Sequence, residues 1–301
     1  MSQIVPNYLK TYREGKLEEK IKQLNEILSR CSLCPRQCRV DRNKDERGFC
    51  GAGKDLRVSS VFAHFGEESC LVGRFGSGTI FFSYCNLKCI FCQNYEISHL
   101  SSGNIITSEK LAAYMLHLQR LGCHNINLVT PTHFVPQILE GLLLAVREGL
   151  NIPLVYNCGG YESAGVIDVL EGVVDIYMPD AKFSSSEVSR QLCGVDDYFP
   201  NLKKVLKKMH QQVGDLVIKD GIAQKGLLIR HLVLPEGLAG TREITEFIAD
   251  QISRQTYINI MAQYHPCGEA YRFAQINCYV NQKEYMEAIS IARSFGLTRF
   301  D

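Results

Sequence analysis

Nowhere in its 301 residues does this chain run apolar for the roughly 18 positions that a membrane span requires. Neither sign of charge is in excess: 33 Lys and Arg stand against 32 Asp and Glu, a formal net charge of +1. That balance gives no reason to expect wrapping of nucleic acid or adhesion to an anionic membrane. The start, Met1-Ser2-Gln3-Ile4-Val5-Pro6, lacks the charged region and apolar core of a signal peptide. Internal repeats and low-complexity tracts are also missing. The expectation is a cytoplasmic protein. What is present is ordinary for a soluble globular chain, with 46% hydrophobic and 22% charged residues. The length allows one large domain, or one domain plus a small appendage. The 13 cysteines stand out. Without a secretion signal, clustered CxxC-type spacings read as metal ligands in a reducing compartment rather than as disulfides.

The most informative cluster is Cys85-x-x-x-Cys89-x-x-Cys92, just after the apolar run Thr79-Ile80-Phe81-Phe82. Three thiolates at this spacing can close on one iron–sulfur cube, and no fourth local ligand is at hand. Ferredoxin-type clusters use four cysteines, so three leave one iron open to an exogenous ligand. An open iron is what S-adenosylmethionine (SAM) needs in order to bind through its amino and carboxylate groups and be cleaved by one electron. Two blander readings compete: zinc with a distant fourth ligand, and unrelated thiols buried as small hydrophobes. The spacing, with Phe91 before the last cysteine and a strand before the first, resembles the signature of the radical SAM superfamily.

Periodicity supplies the frame. Residues 14–30 read as an amphipathic helix with Leu17, Ile21, Leu24, Ile27 and Leu28 on one face, and 57–62 as a short strand. From Thr79 onward strands at 79–83, 125–130, 152–156, 174–178, 227–233 and 257–261 alternate with helices at 108–121, 134–148, 162–171, 198–212, 241–253 and 283–294. The strands are short and rich in Val, Ile and Leu, as parallel strands covered on both faces are. Helical crossovers imply right-handed βαβ units. Six units suit an α/β fold of the partial (β/α)6 barrel kind, too few for a closed eight-fold barrel. Asp220-Gly221 suggests a hairpin or turn inserted around 217–222. The domain expectation is an amino-terminal helix and cysteine-rich region over 1–70, then a core domain over 71–301.

In parallel α/β folds the reactive site lies at the carboxyl ends of strands. Those ends read Thr130-Pro131-Thr132-His133, Asn157-Cys158-Gly159-Gly160-Tyr161, Asp180-Ala181-Lys182, Arg230-His231 and Tyr264-His265-Pro266. Taken singly, Asp180 reads equally well as a helix cap and Gly159-Gly160 as a tight turn. Their convergence after apolar strands argues for a polar rim.

Beyond the superfamily signature, Cys-Asn-Leu-Lys-Cys-Ile-Phe-Cys-Gln-Asn, Asn-Cys-Gly-Gly-Tyr, Met178-Pro179-Asp180-Ala181-Lys182 and Arg230-His231-Leu232-Val233-Leu234-Pro235 resemble the glycyl-radical-enzyme activase branch. The closer likeness is to pyruvate formate-lyase activating enzyme-related proteins, over about residues 75–295. The stretch Cys31-Ser32-Leu33-Cys34-Pro35-Arg36-Gln37-Cys38 also suits that related group. The resemblance implies a radical SAM barrel, with Cys85, Cys89 and Cys92 holding a [4Fe–4S] cluster and Phe91 beside the adenine. It implies Asp180 and Lys182 at the cofactor, His265 near the adenosyl group, and Arg230 where a basic residue meets the ribose or carboxylate. Thr130-Pro131-Thr132 stands where activases carry Gly-Gly-Glu, so a hydroxyl or carbonyl must take the methionyl amino group. Asn157-Cys158 replaces the activase Asp-Thr, which puts a monovalent cation there in doubt.

Cys31, Cys34, Cys38 and Cys50 supply four candidate ligands within 20 residues of one another. A tetrahedral Cys₄ zinc site or a second iron–sulfur cluster would both fit; reduced free thiols are the alternative. The overall expectation is a radical SAM oxidoreductase that cleaves SAM to a 5′-deoxyadenosyl radical for hydrogen abstraction. Its expected electron donor is a flavodoxin or ferredoxin, and its expected target a glycyl radical enzyme, another protein or a small molecule. The competing functions are an iron–sulfur electron carrier and a zinc-stabilised binding module.

Overall fold

The computed structural model describes residues 5–301; the first four residues, on which part of the amino-terminal reading rests, lie outside the described residues. Among the described residues the helices are α1 Asn7–Arg13, α2 Lys16–Ile27, α3 Ser69–Val72, α4 Tyr95–Ser98, α5 Ser108–Arg120, α6 Val135–Arg147, α7 Ala164–Val169, α8 Ser186–Cys193, α9 Tyr198–Val213, α10 Thr241–Gln251 and α11 Gln282–Ser294. The strands are β1 Arg57–His64, β2 Ser77–Phe82, β3 Asn104–Ile105, β4 Ile126–Val129, β5 Leu154–Cys158, β6 Ile176–Pro179, β7 Val217–Lys219, β8 Ile222–Leu232 and β9 Tyr257–Met261.

Six strands pair in parallel in the order β2-β4-β5-β6-β8-β9, which is chain order. Each successive pair is bridged by helical chain, as βαβ units require. The sheet is not closed: β1 lies antiparallel on the outer side of β2, with β3 beyond it. This is the expected partial barrel, and every core strand and crossover helix lies within a few residues of its expected place. Asp220 and Gly221 both take positive φ, 52° and 79°, in the two-residue turn between β7 and β8. Such a turn matches the twist of a hairpin, so the insertion is a hairpin.

The amino-terminal helix departs from expectation in its bounds. Gly15 adopts φ 70° and separates α1 from α2, and Leu28–Arg30 tightens into a 3₁₀ turn. Helix α1 docks on the barrel: Tyr8 Oη donates to the Ile152 carbonyl (2.7 Å) and Asn7 Nδ2 to the Val174 carbonyl (2.9 Å). The segment 186–193, unassigned by periodicity, forms α8, capped by Ser185 accepting from the Val188 amide.

Strand alternation divides the core into two layers. Leu154, Tyr156, Tyr177, Leu227 and Ile229 join the helices in one apolar cluster. Val155, Ile176, Met178 and Leu228, one residue out of phase, form a separate cluster inside the barrel. Asn157, Asp180 and Arg230 lie two residues beyond Val155, Met178 and Leu228. Parity therefore places all three on the interior side, at the carboxyl ends of β5, β6 and β8. No helix of the described residues is long and apolar enough to cross a membrane.

Candidate active site

The loop after β2 turns sharply, with Tyr84 at φ 74° and Lys88 at φ 48°. It brings Cys85, Cys89 and Cys92 together; Cys89 is buried and the others half-buried. Burial first, then the neighbouring thiols of Cys89 and Cys92, push the Cys85 thiol up to about 12. A metal must displace those protons, since thiolate is the ligand form. The Leu87 amide points at Cys85 Sγ (3.4 Å). On the barrel side, Leu87 packs over Gly159, where a Cβ would stand 2.7 Å from Leu87 Cδ1. At Gly160, φ 77°, a Cβ would meet the Asp180 carbonyl at 2.2 Å. The Gly-Gly pair is thus required by the approach of the cysteine loop and of β6, which a tight turn alone would not demand.

Beside the triad four expected residues form one buried network. Asp180 Oδ2 accepts from Lys182 Nζ (2.6 Å) and Oδ1 from Arg230 Nε (2.8 Å). Arg230 Nη2 donates to Asn157 Oδ1 (2.8 Å), and Nη1 lies 3.6 Å from Glu67. Burial raises the Asp180 carboxyl, but the Arg230 and Lys182 charges outweigh it and hold the group below the usual carboxylate range. The same balance keeps Lys182 and Arg230 charged: burial opposes their charge, and Asp180 overcomes it. Asp180 caps no helix, since α8 starts at Ser186. Tyr198, which carried no signal in the sequence, ties the strand ends together. Its single hydroxyl proton is shared between the carbonyls of Gly159 (2.9 Å) and Asp180 (2.8 Å), and its oxygen accepts from the Lys182 amide (3.1 Å).

The other expected residues lie around this network. Thr130, a β-branched residue held at φ 58°, donates its amide to the Asn157 carbonyl (2.8 Å); a bulky residue in that region is a strained outlier. Phe91 is buried edge-on against Phe183 and Tyr264. His265 is not part of the network: it is exposed, stacked near Tyr279, with Nδ1 3.4 Å from Gln93 Nε2 beside the triad. Sequence reasoning missed Glu162, one residue beyond the quoted Asn157–Tyr161 stretch. It is fully buried, accepting from Thr132 Oγ1 (2.9 Å) and Tyr156 Oη (3.0 Å), and burial pushes its carboxyl up to about 7. Cys193, at the end of α8, approaches Cys89, and their hydrogen bond is the first cause of that thiol's raised pKa.

The residues suit a cluster and SAM. Among the described residues no three His, Cys, Asp or Glu side chains converge on a single-ion site. A zinc ion 2.3 Å from each thiolate would need sulfurs about 3.7 Å apart. The triad forms no such site, and three cysteines with no local fourth suit a cluster that keeps one iron open. Buried Glu68 Oε2 and both polar atoms of the Asn127 amide have no partner, which leaves donors and acceptors free in the barrel interior for a polar ligand.

The family model described as the radical SAM superfamily matches residues 79–223. Uncharacterized protein MJ0674 of Methanocaldococcus jannaschii is 33% identical over 300 residues, spanning 97% of this chain and 82% of that protein. Uncharacterized protein MJ0808 of the same organism is 22% identical over 276 residues, 84% of this chain and 75% of its own length.

Proposed function

Because the chain belongs to the radical SAM superfamily, we propose that it is an activating-enzyme-like oxidoreductase in which Cys85, Cys89 and Cys92 hold a [4Fe–4S] cluster beside bound SAM. Held there, the reduced cluster would supply the one electron that divides SAM into methionine and a 5′-deoxyadenosyl radical able to abstract hydrogen from a substrate. The protein's part is to bind, orient and exclude water. Lys182 and Arg230 offer cationic donors to the SAM carboxylate and ribose hydroxyls, and Asp180 holds both donors in place. The Asn127 amide and Glu68 Oε2 offer unspent hydrogen-bonding capacity. Leu87 and Phe91 close the apolar side of the cysteine loop.

The observation that carries this reading is the meeting of the triad with the Asn157–Asp180–Lys182–Arg230 network at the carboxyl end of one parallel barrel. The finer assignment, hydrogen abstraction from a backbone glycine of a partner enzyme with flavodoxin or ferredoxin as donor, is supported by the motif resemblance. Anaerobically reconstituted protein, reduced and given SAM, should release methionine and 5′-deoxyadenosine, and Cys89→Ala should abolish release while leaving the melting temperature nearly unchanged. Full release from Cys89→Ala with intact iron content would overturn the assignment. An iron–sulfur spectrum with no SAM cleavage would favour an electron carrier, and no such spectrum a zinc module. A glycyl radical signal on a candidate partner, dependent on SAM and on this protein, tests the finer assignment.

A further inference from the structure

The four amino-terminal cysteines line one pocket, walled by Leu33, Val40 and Ala52. The knuckle that forms it is held by the Cys31 amide donating to the Val40 carbonyl (2.9 Å) and the Arg39 amide to the Cys31 carbonyl (3.0 Å). The Phe49 amide points at Cys38 Sγ (3.4 Å), as the Leu87 amide does at Cys85. Gly48 lies so close that a Cβ there would stand 2.6 Å from Cys38 Cβ. Two further observations indicate a ligand. Arg42, also on the pocket wall, is 1% exposed, and its guanidinium donates only to carbonyls: Gly53 (2.9 and 2.6 Å) and His133 (2.5 Å). No carboxylate of the described residues pairs with it. Asp45 acts on it only from beyond ion-pair distance; a buried cation without a contacting counter-ion is costly, and thiolates on a metal would provide that negative charge. His133 Nε2 faces the Ser83 carbonyl (2.7 Å), and its Nδ1 is buried without a partner on the same pocket wall.

We propose that Cys31, Cys34, Cys38 and Cys50 hold a second iron–sulfur cluster, with Arg42 as its buried counter-charge. The apolar pocket and the N–H donors directed at sulfur suit a cluster, whose potential and stability depend on such hydrogen bonds. Among the described residues no three His, Cys, Asp or Glu side chains converge on a single-ion site, so the four thiols do not form a closed tetrahedral zinc site as they stand. Arg36, on the pocket wall, links the pocket to the loop that carries Cys85, Cys89 and Cys92. Arg36 Nε donates to the carbonyl of Asn86, next to Cys85 (2.5 Å), while its guanidinium covers the ring of Phe49, next to Cys50, at 3.3 Å. The inference concerns a separate site and does not require the triad to act on SAM.

The test uses the full chain carrying Cys85→Ala, Cys89→Ala and Cys92→Ala, reconstituted anaerobically with iron and sulfide in the presence of zinc. The expected result is about four iron and four sulfide per chain, broad visible absorbance, and a paramagnetic signal on reduction. One zinc without sulfide, or neither metal, overturns the proposal. If that variant does not fold, the unsubstituted chain decides. It should hold about eight iron, and Cys34→Ala with Cys50→Ala should lower this to about four; an unchanged count overturns the second site. In the triad-free chain Arg42→Met should move the midpoint potential downward, because a lost positive charge disfavours the added electron, while Arg42→Lys should hold it. An unmoved potential in Arg42→Met overturns the counter-charge.

Discussion

Replacing Asp180 with Asn keeps the shape of the side chain and removes the one carboxylate that bridges two buried cations. In the native network Asp180 meets Lys182 at 2.6 Å and Arg230 at 2.8 Å. After the change Arg230 retains Glu67 at 3.6 Å and the Asn157 amide. Lys182 retains no carboxylate within ion-pair distance among the described residues. Breaking a buried pair by removing one partner costs about 3–5 kcal/mol, and Asn still offers one acceptor, so the low end, about 3 kcal/mol, applies. For a chain of this size that corresponds to a fall in Tm on the order of 5–10 °C. If Lys182 and Arg230 also hold SAM, one lost charge-assisted hydrogen bond, about 1.5–3 kcal/mol, lowers SAM affinity roughly ten- to a hundred-fold. The stabilisation also has a pH signature. The folded carboxyl lies below its ordinary value, so its contribution is present above the unfolded pKa of about 4 and is lost as pH falls through the folded pKa. Asp180→Asn should therefore flatten that part of the acid limb. Calorimetric melting and SAM titration on reconstituted protein read both effects. A lowered Tm with unchanged SAM affinity returns Asp180 to a structural role, and no change in either refutes the reasoning about the buried network.

Two further changes probe the surroundings. Gly159→Ala places a methyl 2.7 Å from Leu87 Cδ1, so it should displace the cysteine loop and reduce iron retention, with Leu87→Ala in the same chain restoring it; full iron retention in the single variant would contradict the close approach. Burial holds the Glu162 carboxyl up at about 7 against about 4.5 when exposed, so the folded state binds the extra proton and stability falls as pH rises from about 4.5 to about 7, by roughly 3 kcal/mol in all. Glu162→Gln should remove that slope and gain in relative stability at pH 8 over pH 5; denaturant melts at the two pH values check it, and parallel slopes for both proteins refute it.

The frame was legible because it is local. Strand and helix periods act over a few residues, and Asp220-Gly221 specifies its own turn. The triad spacing of three and two residues holds its thiols on one loop whatever the rest of the chain does. The cysteine quartet was legible for the same reason, its members lying between Cys31 and Cys50.

What the sequence by itself determined, then, was the order of six parallel strands, the loop bearing Cys85, Cys89 and Cys92, and the set of polar residues at the strand ends. Which of those residues meet was decided only by tertiary structure. Arg230 reaches Asp180 across 50 positions and Asn157 across 73, and Arg42 reaches the His133 carbonyl across 91. The contacts of Arg230 depend on sheet register, where a slip of one residue would turn every interior side chain toward the helices. The same register leaves His265, equally polar and equally placed after a strand, on the surface beside Gln93. The roles of Glu162, Tyr198 and Arg42 arise from burial, which makes an ordinary carboxyl, phenol or guanidinium depend on specific partners, and burial is set by the packing of the whole chain.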